Sequence, residues 1–162
     1  MDLRPNSEPQ EFFLRLPDSI FEACCGGEAG GGKSYSLVIY PIIRGWYKHP
    51  QFKGIIFRKT FPQLEKSLIP LAESIYAPLG GRWNGNEHVF DFKKIGGGKI
   101  WLSYLETAKD AREHDTNEYN YISFDELTHF QKKVYLYLLH RCRTSTPGLP
   151  NVVRSGATPG GE

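Results

Sequence analysis

GGEAGGGKSYSL, residues 26–37, places five glycines in the seven positions 26–32 and follows them with a lysine and a serine. A loop this rich in glycine is costly to order, so something must compensate for it. Gly27, Gly32, Lys33 and Ser34 satisfy the pattern G-x-x-x-x-G-K-[ST] in full, as GEAGGGKS. A triphosphate needs several backbone N–H groups turned inward, which forces unusual φ/ψ values and leaves no room for Cβ atoms. A helix starting at the lysine adds the positive end of its dipole. In that arrangement Lys33 reaches the β- and γ-phosphates and the Ser34 hydroxyl binds Mg²⁺. Gly27, Glu28, Ala29, Gly30, Gly31, Gly32, Lys33, Ser34 and Tyr35 are therefore the candidate nucleotide-binding residues. Ordinary residue frequencies produce such a match by chance in on the order of one per hundred chains of this length. An apolar run before the loop and a helix-like run after it supply the context that the motif requires.

The bounds around this stretch are those of one ordinary globular domain. The chain has 162 residues, 40% of them hydrophobic and 23% charged, with 20 basic against 18 acidic side chains. That balance neither argues for nucleic acid nor excludes a local basic patch. Cys24, Cys25 and Cys142 do not form a disulfide framework, and reduced cysteines of an intracellular protein are expected. No run approaches 18 apolar residues, and the start MDLRPNSEPQ does not read as a signal peptide, so a soluble protein is expected.

Along the chain, strand and helix patterns alternate. SIFEACC (residues 19–25) reads as a short buried strand ending at the glycines. Residues 34–47 read as a helix that Pro41 should kink or shorten. GIIF (residues 54–57) is a second strand, and residues 61–76 a second helix with Leu64, Leu68, Leu71 and Ile75 on one face. Alternating runs at 88–92 and 100–105, joined through IGGGK, predict an antiparallel hairpin. YNYISF (residues 119–124) is a further strand, residues 131–141 an amphipathic helix and residues 151–156 a last strand. The alternation predicts an α/β fold, a sheet covered by helices on both faces.

YISFDE, residues 121–126, is a mostly apolar strand ending in two carboxylates. Asp125 is placed to hold Mg²⁺ through water, beside Ser34, while Glu126, pointing elsewhere, can orient and deprotonate an attacking water. Adjacent acids at a strand end are costly unless a cation or a reaction uses them. No N-K-x-D base-reading motif occurs in the chain, which favours ATP over GTP.

The order PQEFFL, GGEAGGGKS, IIFRKT, ISFDELTHF, SGATPGG resembles the ATPase domain of the large terminase subunit, the motor that pumps double-stranded DNA into tailed-phage and related capsids. The resemblance spans residues 9–161, and FDELTHF and ATPGG are its most specific parts. It implies a P-loop NTPase of the additional-strand, RecA-like class, with a mainly parallel sheet and a small antiparallel hairpin. Gln10 matches the position that reads adenine, and a side-chain amide can pair with adenine in both directions. Lys33 and Ser34 take the phosphate and metal roles, Asp125 the metal role and Glu126 that of the catalytic carboxylate. Thr158 falls at the coupling motif, which senses the γ-phosphate. A neighbouring subunit's arginine finger is expected, with Arg112 the first candidate and Arg58 the second; either could equally be a surface arginine paired with an acid. The cofactors implied are ATP and Mg²⁺. The partners implied are double-stranded DNA, the portal protein, the small terminase subunit and copies of the chain itself, forming a pentameric ring on the procapsid and separating to monomers in isolation. No membrane is implied, and the place of action is the host cell cytoplasm during virus assembly.

Three departures from the family pattern stand out. Glu28 lies where many relatives carry a basic residue, and REHDTNEY (residues 112–119) lacks the glycine of a Y-Q-G-like segment. The chain also ends at Glu162, before the RNase H-like nuclease domain of family members, so no nuclease activity is expected of it. Two other readings stay open: a helicase-like DNA translocase of the same superfamily, and a non-catalytic module whose ATP state gates assembly. The histidines at 88, 114, 129 and 140 show no ligand spacing, and the basic residues around 132–143 read as a solvated helix face.

Overall fold

The computed structural model describes residues 3–5, 7–27 and 32–158. Strands β1 (Glu22–Gly26), β2 (Lys53–Arg58), β3 (Arg82–Asn84), β4 (Val89–Asp91), β5 (Lys99–Tyr104), β6 (Tyr121–Asp125) and β7 (Val152–Ala157) form one sheet in the order β1-β7-β6-β2-β5-β4-β3. The first five in that order run parallel; β4 pairs antiparallel with β5, and β3 antiparallel with β4. The last strand in sequence, β7, is thus inserted between β1, which leads into the glycine loop, and β6, which ends in the two acids. This is the additional strand that the sequence led us to expect.

Residues on the two faces of each strand feed two cores, as alternation requires. Ile56, Tyr121 and Val152 face helices α1 (Glu8–Leu14), α2 (Lys33–Ile43) and α4 (Ile69–Tyr76). Ile55, Phe57, Ile122, Phe124 and Val153 face α5 (Ala108–Arg112) and α6 (Lys132–Leu139). Both faces are covered, so the central strands are almost continuously apolar.

The sequence placed a kink or a shortening at Pro41; α2 continues past the proline but ends at Ile43, short of the expected residue 47. Proline cannot donate to the carbonyl four residues earlier, which here is that of Leu37. The Tyr121 hydroxyl, from the sheet below, donates to the Leu37 carbonyl instead, at 2.8 Å. Burial pushes the Tyr121 pKa upward, so the hydroxyl keeps the proton it donates. The expected single helix over 61–76 is instead interrupted: α3 (Phe61–Gln63) leads into a π-helical turn, Leu64–Leu68, before α4. Pro70, in the first turn of α4, removes one donor from the ladder at that junction. Strand β1 is also not buried as expected. It is the edge of the sheet, and its residues alternate between exposed and half-buried, with Cys24 exposed.

The 88–105 hairpin forms as β4 and β5; Gly96 takes the left-handed turn (φ 74°), but Gly97 and Gly98 serve a close approach. Gly98 donates to the Tyr47 carbonyl at 2.9 Å, and a Cβ on Gly98 would lie 2.3 Å from the Phe52 carbonyl oxygen and 2.8 Å from that of His49. Both obstacles are backbone, so the strand itself would have to move. Gly98→Ala is expected to cost about 2–3 kcal/mol, read as a lower midpoint in chemical denaturation. An unchanged midpoint would mean that the 47–52 segment yields freely.

The N-terminal arm is held on the sheet by two arginines. Arg44 donates to the Leu14 and Leu16 carbonyls and pairs with Asp18. Arg154, on β7, is fully buried; it donates from Nε to the Tyr40 hydroxyl at 2.9 Å and from its terminal nitrogens to the carbonyls of Phe21, Val153 and Pro17.

Candidate functional site

The site lies where the parallel strands end. Parallel strands all finish on one side of a sheet, and the loops that leave them converge there. Register brings the parts together: Gly26 of β1 pairs with Ala157 of β7, Gly156 of β7 with Asp125 of β6, and Phe57 of β2 with Phe124 of β6. Gly27, Thr158, Glu126 and Arg58 lie at or just beyond these strand ends and are therefore neighbours across four strands.

Gly27 (φ 152°) and Gly32 (φ 78°) bracket the loop in backbone conformations that L side chains rarely adopt. Glu28, Ala29, Gly30 and Gly31 lie outside the described residues. Gly32 caps α2 without a side-chain hydrogen bond to the first-turn amides. Lys33 follows, buried, with its Nζ donating to the Gly27 carbonyl at 3.0 Å. Gly156 underlies it: a Cβ there would come within 3.2 Å of the Lys33 Cβ. The sequence reading missed Gly156, although the small-residue run SGA in a strand was the signal of a close approach.

The Ser34 hydroxyl lies 2.9 Å from both carboxylate oxygens of Asp125. Asp125 is 2% exposed and also forms an ion pair with Arg58 Nη1. Glu126 turns the other way. Its backbone is left-handed (φ 60°, ψ 67°), a strained state for glutamate, and its carboxylate accepts from the Thr158 hydroxyl at 3.0 and 3.1 Å. Partial burial raises the Cys24 thiol pKa, and the neighbouring Cys25 and then Glu126 add to the upward push.

Gln10 belongs to the same site. Ser7 caps α1 by accepting from the Gln10 amide at 3.3 Å, and Gln10, Phe13 and Leu14 form its buried face at i, i+3, i+4 spacing. Phe13 packs edge-on to Tyr40 of α2 at 5.6 Å, which aims Gln10 at the loop, where Nε2 donates to the Gly32 carbonyl at 3.0 Å. Tyr35 is half-buried and packs on the core of α1, α2 and α4.

The structure thus brings together Gln10, Gly27, Gly32, Lys33, Ser34, Arg58, Asp125, Glu126 and Thr158. It does not bring Arg112 to them. That residue ends α5, where its side chain is exposed and has no hydrogen bond or ion pair among the described residues. Arg58, read from sequence as a finger for a neighbouring subunit, is instead engaged within its own chain.

The donor set suits Mg²⁺. Ser34 and Asp125 offer hard oxygens, and among the described residues no three or more His, Cys, Asp or Glu side chains gather into a metal cage. A cation there would complete its shell with phosphate oxygens and water, as Mg²⁺ commonly does.

No protein-family model and no curated protein matches the chain. Solved structures do. The large terminase of a thermophilic bacteriophage superposes with a TM-score of 0.72 at 16% identity, over 95% of this chain and 39% of that one. The large terminase ATPase domain of Thermus phage P74-26 gives 0.63 at 14%, over 98% and 71%. The N-terminal domain of the bacteriophage phi29 DNA packaging ATPase gives 0.58 at 20%, over 94% and 78%. The first of these terminases is also solved with ADP (0.68, 15%, over 94% and 38%) and with ATP-gamma-S (0.67, 16%, over 93% and 37%). The chain spans about two-fifths of the length of that terminase. At these identities the likeness is one of fold, and this chain carries the P-loop NTPase fold of large-terminase ATPase domains.

Proposed function

We propose that the chain is the ATPase motor domain of a viral DNA-packaging terminase, hydrolysing ATP with Mg²⁺ to drive double-stranded DNA into a procapsid. The observation that carries this reading is the division of labour between the adjacent acids: Asp125 is bound to the serine of the glycine loop, and Glu126 is held apart on Thr158. A site that only bound nucleotide would need the first acid and have no use for the second in a strained backbone. The fold shared with packaging ATPases, together with a terminase solved with ADP and ATP-gamma-S, supports the substrate.

In this mechanism Gln10 holds the adenine. Lys33 and the amides at the start of α2 bind the phosphates; Ser34 and Asp125 would hold Mg²⁺, which would supply positive charge against the negative charge that develops. Glu126 accepts a proton from a water whose oxygen bonds to the γ-phosphorus. The bond from that phosphorus to the β–γ bridging oxygen breaks with its electrons going to ADP. Thr158, already on Glu126, reports the change to β7. Arg112, exposed and unengaged among the described residues, is the finger offered to the next copy in a ring. The portal, the small terminase subunit and DNA are the partners, in the host cytoplasm during assembly.

The test is parallel measurement of ATP binding and of Mg²⁺-dependent phosphate release by wild type and Lys33→Ala. Binding and turnover in the wild type, with both lost in the variant, are expected. Binding by the wild type with no turnover at any protein concentration would replace the motor with an ATP-gated assembly module.

A further inference from the structure

Asp125 carries two partners from within the chain. Ser34 donates to its carboxylate, lying within reach of both oxygens, and Arg58 pairs with Oδ2. Its side chain is 2% exposed. Arg58 reaches it because β2 and β6 lie side by side in register, Phe57 against Phe124, so that the next residue of each strand ends at the same place. The Arg58 side chain is itself only 19% exposed, and its Nε is buried without a hydrogen-bond partner among the described residues. A fixed structural counter-ion for a carboxylate is frequently held through two parallel N–H donors. Arg58 is held through one, with a second donor left over.

We propose that Arg58 is a cis-acting gate on the metal position: it stands in for the cation on Asp125 and must leave the carboxylate before Mg²⁺ can be held there. The inference rests on reading Ser34 and Asp125 as a Mg²⁺–nucleotide site. Arg58 and Mg²⁺ then compete for one carboxylate, a negative coupling between two ligands of the same group. Before loading, Arg58 keeps a buried acid neutralised, which spares the fold an unpaired charge. The arginine that sequence reading offered to a neighbouring subunit is thereby assigned to its own.

The test titrates Mg²⁺ into the chain with the fluorescent nucleotide mant-ADP, which has no γ-phosphate and so excludes any contact of Arg58 with a terminal phosphate. The half-saturating Mg²⁺ concentration is expected to fall about tenfold in Arg58→Gln, and by less in Arg58→Lys, which keeps the charge on a shorter reach. Without nucleotide, Mg²⁺ is expected to raise the melting temperature of Arg58→Gln more than that of the wild type. An unchanged or higher half-saturation in a variant that still binds mant-ADP overturns the gate and leaves the nucleotide site standing. Equal melting shifts in variant and wild type overturn it as well. Failure of the wild type to bind mant-ADP at any Mg²⁺ concentration overturns the site and the gate together.

Discussion

Glu126→Gln is expected to lower the rate of ATP hydrolysis by about 10²–10⁴-fold while leaving nucleotide affinity within a few-fold of wild type. The substitution keeps the size of the side chain and its capacity to accept from the Thr158 hydroxyl, now 3.0 Å away. It removes only the ability to take a proton from water. Ser34, Asp125 and Lys33, which hold the nucleotide in the proposed mechanism, form their contacts apart from the Glu126 carboxylate. Binding and chemistry should therefore separate cleanly. Single-turnover hydrolysis measured beside equilibrium nucleotide binding checks this. Equal turnover in Glu126→Gln would remove Glu126 as the base, and loss of binding would show that its strained backbone shapes the phosphate loop.

The second large effect concerns stability. Arg154 is a fully buried cation with no carboxylate paired to it among the described residues; its partners are three carbonyls and the Tyr40 hydroxyl, with its guanidinium 5.4 Å from the Tyr40 ring centroid. Hydrogen bonds to a charged donor contribute more than neutral ones, and leaving their buried acceptors unpaired is costly. Arg154→Met replaces much of the side-chain volume but removes every one of those donors. We expect a loss of about 3–4 kcal/mol, which corresponds to roughly 10 °C in melting temperature for a domain of this size. The damage should extend to the site. The carbonyls of Pro17 and Phe21 belong to the segment that joins α1 to β1, and α1 carries Gln10. Differential scanning calorimetry with adenosine-versus-guanosine nucleotide competition checks both parts. A variant as stable as wild type would mean that water reaches those carbonyls.

Much of the site was legible because its motifs are local. The glycines, Lys33 and Ser34 are contiguous, and a phosphate loop needs φ/ψ values that only a short glycine-rich segment can supply. Asp125 and Glu126 follow a mostly apolar run, and strand alternation alone sends adjacent side chains to opposite sides. The parallel, doubly covered sheet followed from the alternation of strands and helices. Helix 61–76 was legible as an element but not in its internal break, because periodicity averages over a single displaced hydrogen bond.

What the sequence by itself determined, then, is which residues form the glycine loop and which strand ends in acid. Only the tertiary structure decided what lies beside them. That Arg58 rests on Asp125 depends on the register of β2 against β6, and a one-residue slip would send that side chain to the opposite face. That α2 runs through Pro41 depends on a tyrosine hydroxyl 84 positions in sequence from the carbonyl it caps. That β1 is an exposed edge depends on β7 entering the sheet on its inner side. Each is a pairing between segments far apart in the chain, made by register and packing, and neither periodicity nor spacing carries that information.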